Sequence, residues 1–266
     1  MNRYLRRALC LVFLWSLVVA SLVSAEKLET PHFLVLYPPS DASLAEAIAG
    51  SMEEARETLS EELGVSHANP LKIRLLPNVA NNGYARYLPD RRTIEVVTTQ
   101  GMTKRFGGQS PPFRFIEGVL WHEYVHFLQH QAMRRFIKDR DALWFIEGTA
   151  ELLGTQRFMG RYSPEAVWEQ GKDILSEGRL PTLDDLNRYH QTNQYPVPTY
   201  FFSSDAVAFL VQKWGMDALC QITRDMGEGK KLAQCVDDRL EVDLTAFERE
   251  WHRDLEQRYK SHMRNS

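Results

Sequence analysis

Apolar and polar positions divide this chain into two regimes. Up to about residue 100, short blocks and alternations dominate. HFLVLYP at 32–38 reads as a strand, LKIRLLP at 71–77 alternates as a strand does, and NNGYARYLPDRRTIEVVTT at 81–99 reads as a hairpin whose second strand is TIEVVT. Between the first two strands, residues 41–64 place apolar side chains at helical spacing, with Asp41 positioned to cap the start and Gly64 to end the helix. The Gly and Pro cluster at 107–112 is a loop. Beyond Pro112 the period becomes helical. Helices are predicted over 113–136, 141–158 and 164–178; a loop over 179–199 leads into a helix over 200–215, and two or three more helices finish the chain. Strands first and helices later predict an α+β fold. Residues 26–266 read as one domain, with a strand-containing lobe (26–110) and a helical lobe (111–266), no linker composition between them and no internal repeat.

Composition changes this picture only at the N-terminus. With 44% hydrophobic and 25% charged residues over 266 positions, the chain has a globular composition, and a formal charge of −3 gives no electrostatic reason to expect a nucleic-acid partner. Arg3, Arg6 and Arg7, however, precede the uncharged run ALCLVFLWSLVVASLV at 8–23, and VSA at 23–25 places small residues where a signal peptidase cuts. Residues 1–25 therefore read as a secretory signal peptide. The run of 16 residues is short for a membrane span; an uncleaved anchor is the alternative. The expected location is periplasmic or secreted, with no membrane span once the signal is removed. Cleavage removes three arginines and no acid, taking the formal charge from −3 to −6, and leaves Cys220 and Cys235. An even cysteine count in an oxidising compartment predicts a disulfide between them.

Candidate chemistry sits in the helix predicted over 113–136. Between Val119 and Leu128 every residue is apolar except His122, Glu123 and His126. Residues four apart on a helix differ by about 40°, so both histidines point the same way, at a spacing where two imidazole nitrogens can meet one zinc ion at about 2.0–2.1 Å. Glu123 lies about 100° round the helix from His122 and can act on a water there without being a ligand. This is the H-E-x-x-H pattern. A buried imidazole or carboxylate with no partner costs several kcal/mol, and a metal answers that cost; ordinary hydrogen bonds are the bland alternative. His130 extends the stripe but lies about 12 Å along the axis from His122, too far to share the ion, and reads as packing or surface.

A third ligand is offered by WFIEGTAE at 144–151, where Glu147 and Glu151 are again four apart. A short connection makes the two helices antiparallel neighbours, and Gly148 lets a neighbouring helix approach closely. Glu147 then completes a His₂Glu set with its fourth position open, the catalytic rather than the structural pattern. Glu151 is placed to accept a hydrogen bond from the second nitrogen of a liganding histidine. A solvated helix face is the alternative for this pair, and Leu143, Phe145, Ile146, Ala150, Leu152 and Leu153 around it argue against that. Zinc is the metal expected from these ligands, which also suit manganese or cobalt.

H-E-x-x-H followed about twenty residues later by W-x-x-E-G-x-A-E resembles the gluzincin metallopeptidases, in particular the peptidase-MA-like group related to thermolysin and the zinc aminopeptidases. The resemblance implies a zincin-like fold, one zinc ion bound by His122, His126 and Glu147, and Glu123 as the general base. YARYLPDRRTIEVVT resembles the family's substrate-edge strand, and YFFSSDAVAFLVQKWG the helix after its loop; an extended substrate is expected to pair with the strand at 93–98. Family members use a downstream tyrosine or histidine to stabilise the oxyanion, which suggests Tyr200, with Tyr195 and His190 as rivals. The G-x-M-E-N motif by which the aminopeptidases hold a free amine is missing; the nearest segment, NNGYARY, has no carboxylate. An endopeptidase acting on peptides or proteins is therefore the first expectation. A zinc hydrolase of a non-peptide bond and a catalytically silent binding or assembly module are the other two, the last disfavoured by the intact Glu123.

Overall fold

The computed structural model describes residues 25–80, 83–133, 140–156 and 172–265. The predicted signal peptide, apart from Ala25, and residues 164–171 of the third predicted helix lie outside them. The architecture is α+β. Five strands, β1 (Glu26–Glu29), β2 (Phe33–Tyr37), β3 (Leu71–Leu76), β4 (Ala85–Leu88) and β5 (Thr93–Val97), form one mixed sheet in the order β1-β2-β3-β5-β4. The central pairings β2–β3 and β3–β5 are parallel, and both edge pairings are antiparallel. Helices follow: α1 (Ala42–Leu63), α2 (Thr99–Arg105), α3 (Phe113–Met133), α4 (Leu143–Ala150), α5 (Leu183–Thr192), α6 (Thr199–Gly227), α7 (Leu232–Leu240) and α8 (Leu244–Asn265).

Alternation decides which face of the sheet is covered. Phe33, Val35, Leu71, Ile73, Ile94 and Val96 share one face through the strand register and are 0–1% exposed. The backs of α1 and α3 join the same core with Ile48, Met52, Leu59, Leu120, Tyr124 and Phe127. Two polar contacts fix the rotation of α3. Trp121 Nε1 donates to Ser51 Oγ on α1 at 3.0 Å, and Tyr124 Oη lies 3.0 Å from Nε2 of the buried His67. On the opposite sheet face the carboxylate of Glu95 is buried and accepts from Nε and Nη2 of Arg86 at 2.8 and 2.6 Å, clamping β4 to β5.

Several expectations are corrected here. The strand proposed to receive substrate, at 93–98, is β5, which is flanked by β3 and β4 and has no free side; the sheet's edges are β1 and, next to β5, β4. Asp41 does not cap α1: a 3₁₀ turn at Pro39–Asp41 turns its carboxylate away to accept the Thr99 amide at 2.8 Å. Gly64 does end α1, in the left-handed conformation. The segment read as a loop over 179–199 contains α5, started by a capping box between Thr182 and Asp185. Helix α6 is broken at Gly215 (φ 85°, ψ 166°), where the sequence ended that helix.

The expected Cys220–Cys235 disulfide is absent. Both are free, buried thiols on different helices, and Cys220 Sγ donates to the Glu62 carbonyl of α1 at 3.4 Å, so it faces away from a bridge. No described helix is long and apolar enough to cross a membrane.

Candidate metal centre

The centre forms where α3 and α4 meet. After Ala150, α4 continues as a π-helical turn, Glu151–Thr155, which widens the helix beside α3. Two glycines set the approach. A Cβ on Gly154 would lie 2.6 Å from His122 Cα, so this turn touches the main chain of α3 at the first histidine. A Cβ on Gly148 would lie 2.6 Å from the Ser203 carbonyl carbon, so the helix approaching Gly148 is α6. Gly154→Ala is expected to force α3 and α4 apart. We expect a loss of about 1–3 kcal/mol of stability, the usual cost of overpacking, together with weaker metal binding; thermal denaturation and metal titration read the two.

At this contact His122 Nε2 lies 3.5 Å and His126 Nε2 3.6 Å from the same oxygen, Glu147 Oε2. All three donor atoms fall within 4.8 Å of one another. Atoms bound tetrahedrally to one ion at about 2.0–2.1 Å are themselves separated by about 3.3 Å. The trio is therefore spaced as ligands are and could hold a metal ion. Each imidazole is tied at its other nitrogen. His122 Nδ1 is 3.3 Å from Glu151 Oε2 and 3.4 Å from Thr155 Oγ1, and His126 Nδ1 is 3.0 Å from Gln129 Oε1. Gln129 is held in turn by its Nε2 donation to the Ile146 carbonyl of α4 at 3.1 Å. Placing the proton on Nδ1 leaves the Nε2 lone pair facing Glu147, which suits metal ligation.

Gln129 and Thr155 had not been singled out in the sequence. Gln129 was signalled by its position three residues after His126, on the same helical face. Thr155 had no local signal, because only the π-helical turn brings it to His122.

Charge within the buried trio is balanced by protons when no metal is bound. Burial pushes His122 down, but hydrogen bonds to Glu147 and Glu151 and the charge of Glu123 outweigh it and lift its pKa to about 10. His126 is also raised, burial being outweighed by Glu147. Burial pushes the Glu147 carboxyl up, and His126 and His122 outweigh it, holding it well below the usual range. A histidine raised in this way stabilises the metal-free fold fully below its unfolded value of about 6.5, and that contribution is lost as pH rises toward about 10. A metal must displace the same proton. Metal affinity is therefore expected to rise at least about tenfold per pH unit between pH 7 and 9, and more steeply where His126 is protonated as well, measured by competition with a chelator of known proton affinity. A flat profile would show that His122 is already neutral.

The remaining predicted residues gather round the trio. Glu123 faces the sheet edge, its Oε2 accepting the Tyr87 amide of β4 at 2.6 Å. Tyr200, at the start of α6, has its ring centroid 6.2 Å from that of His122. Its two rivals are its neighbours: His190 packs edge-on against it at 4.9 Å and Tyr195 lies at 5.5 Å. His190 Nε2 is engaged 3.0 Å from Ser203 Oγ, and burial lowers its pKa. Burial, the Glu147 charge and a hydrogen bond with Tyr195 all raise the Tyr200 pKa, so its hydroxyl stays protonated. A surface cavity of about 390 Å³ opens at Tyr195, lined also by Arg188, Tyr189, Thr192, Gln194 and Pro196. His130 is not with the trio; its Nδ1 lies 2.8 Å from Tyr87 Oη.

No protein-family model matches the chain, and no curated protein sequence matches it.

Proposed function

We propose that this protein is an exported zinc-dependent peptidase with a zincin-like fold, acting within chains rather than on free amino termini. The observation that carries the reading is the convergence of His122 Nε2, His126 Nε2 and Glu147 Oε2 beside a separate carboxylate, Glu123, at an open sheet edge. When bound, zinc supplies a Lewis acid that polarises the scissile carbonyl and acidifies water. His122, His126 and Glu147 hold it, and Glu151 and Gln129 fix the orientation of the two rings. Glu123 takes a proton from the attacking water and passes it to the leaving amine. Tyr200, kept protonated by burial, donates a hydrogen bond to the developing oxyanion.

Strand phase supports a peptide substrate. Val97 donates its amide to the Tyr84 carbonyl at 2.9 Å, so alternate residues Tyr84, Arg86 and Leu88 bond to β5 and the main-chain groups of Ala85 and Tyr87 turn outward. With the Tyr87 amide taken by Glu123, an extended chain added along that edge pairs with the main-chain groups of Ala85 and the Tyr87 carbonyl and lies beside Glu123, and the cavity at Tyr195 gives room for one of its side chains. The test is zinc-loaded protein against a mixed peptide library, with and without a chelator. Internal cleavage that the chelator abolishes is the expected result; zinc-loaded protein that cuts nothing overturns the reading.

A further inference from the structure

We infer that Tyr87 is a positioning residue: its main-chain amide holds Glu123 in place, so the edge strand β4 sets the orientation of the base. This rests on the peptidase reading and adds to it a residue that no ligand or base motif contains. Tyr87 touches α3 three times along one stripe. Its amide donates to Glu123 Oε2 at 2.6 Å, its ring meets Phe127 edge-on at 5.8 Å, and its hydroxyl lies 2.8 Å from His130 Nδ1. Positions 123, 127 and 130 are four and three apart and share a helical face. The histidine left over from the H-E-x-x-H pattern thus has a place: it fastens the side chain of the residue whose amide holds the base.

The amide is available because of strand phase. Tyr87 lies between Arg86 and Leu88, which pair with β5, so its N–H points out of the sheet. Its bond to Glu123 is charge-assisted and short, and it is the hydrogen bond that the described residues give this carboxylate. A glutamate with three free torsions samples many positions; one oxygen fixed on a sheet edge leaves the other in a defined place, which proton transfer requires.

An amide is removed by proline, and at an outward-facing edge position proline costs no ladder hydrogen bond. The comparison is Tyr87→Pro against Tyr87→Ala, since both lose the ring and only the first loses the N–H. The expected result is a kcat at least tenfold lower in the proline variant, with KM and zinc stoichiometry equal. A purely structural role for Tyr87 would instead lower zinc content or change KM in both. Replacing the residue by its α-hydroxy acid through nonsense suppression keeps the ring and the strand and exchanges the N–H for an oxygen. If Tyr87→Pro fails to bind zinc, this ester variant decides: a kcat at least tenfold below wild type supports the inference, and one closer to wild type overturns it. Equal kcat in Tyr87→Pro and Tyr87→Ala, with Glu123→Gln inactive, overturns this inference alone. Zinc-loaded wild type that cleaves nothing overturns the peptidase reading and this inference with it.

Discussion

Glu123→Gln is expected to keep its zinc and its melting temperature while losing about 10²–10⁴ in hydrolysis, the range attributed to a positioned base. Glu147→Ala is expected to lose the metal first. Both residues are acidic and lie at the same candidate metal centre, but their surroundings differ. Glu147 Oε2 lies within 3.6 Å of both Nε2 atoms, and removing it takes away a candidate ligand together with the anion that raises both histidines against their burial. Metal affinity is then expected to fall sharply, and with it whatever support a bound ion would give the α3–α4 contact. Glu123 instead reaches away to β4. Glutamine retains an oxygen that can accept the Tyr87 amide, so the fold and the metal site keep their contacts and only the capacity to take a proton is lost. Zinc stoichiometry, thermal denaturation and peptide cleavage on the two variants side by side separate an enzyme from a binding module. A Glu123→Gln variant with full function would sink the peptidase reading.

The parts of this site that were legible in the sequence are those written in helical period. His122 and His126, and Glu147 and Glu151, share faces because four residues is close to one turn, and no tertiary knowledge is needed to see it. Gly148 was also legible as a point of close approach, although the partner, Ser203 on α6, was not. Non-local features were hidden. The order β3-β5-β4 cannot be read from the hairpin pattern, because the outer strand of a hairpin is decided by which member finds a third strand. That is why the strand expected to pair with a substrate, β5, proves to be internal. Cysteine parity said nothing about direction, and Cys220 spends its thiol on a carbonyl of α1. Helix α5 was overlooked despite a local signal, Thr182 three residues before Asp185, because prolines at 181, 196 and 198 gave the whole stretch the look of a loop. Its cost was functional as well as structural, since α5 carries His190, which packs on Tyr200, and Asn187, whose side chain accepts from the Trp144 amide at the start of α4 at 3.0 Å.

Tyr200→Phe is expected to lower kcat by about 10²–10³, the loss found when one oxyanion donor is removed, with little change in KM or zinc content. The ring is held whether or not the hydroxyl is present: His190 packs against it edge-on, Tyr195 lies alongside, and the His122 ring is its third neighbour. Phenylalanine keeps those ring contacts and loses only the hydroxyl's hydrogen bond with the half-exposed Tyr195, so zinc binding and folding are expected to change little. The hydroxyl itself is buried near Glu147, which keeps it protonated at any working pH and fits it to donate a hydrogen bond rather than act as a base. Its rivals are less well placed to replace it. His190 commits Nε2 to Ser203, and Tyr195 is 42% exposed with its hydroxyl donating to Asn193 Oδ1 at 3.1 Å. A double comparison separates support from catalysis. His190→Ala is expected to loosen the Tyr200 ring and cost less than Tyr200→Phe, while combining the two is expected to cost little more than Tyr200→Phe alone, because both act through one hydroxyl. Near wild-type turnover in Tyr200→Phe would remove the oxyanion role from this residue, and additive losses in the double variant would give His190 a function of its own.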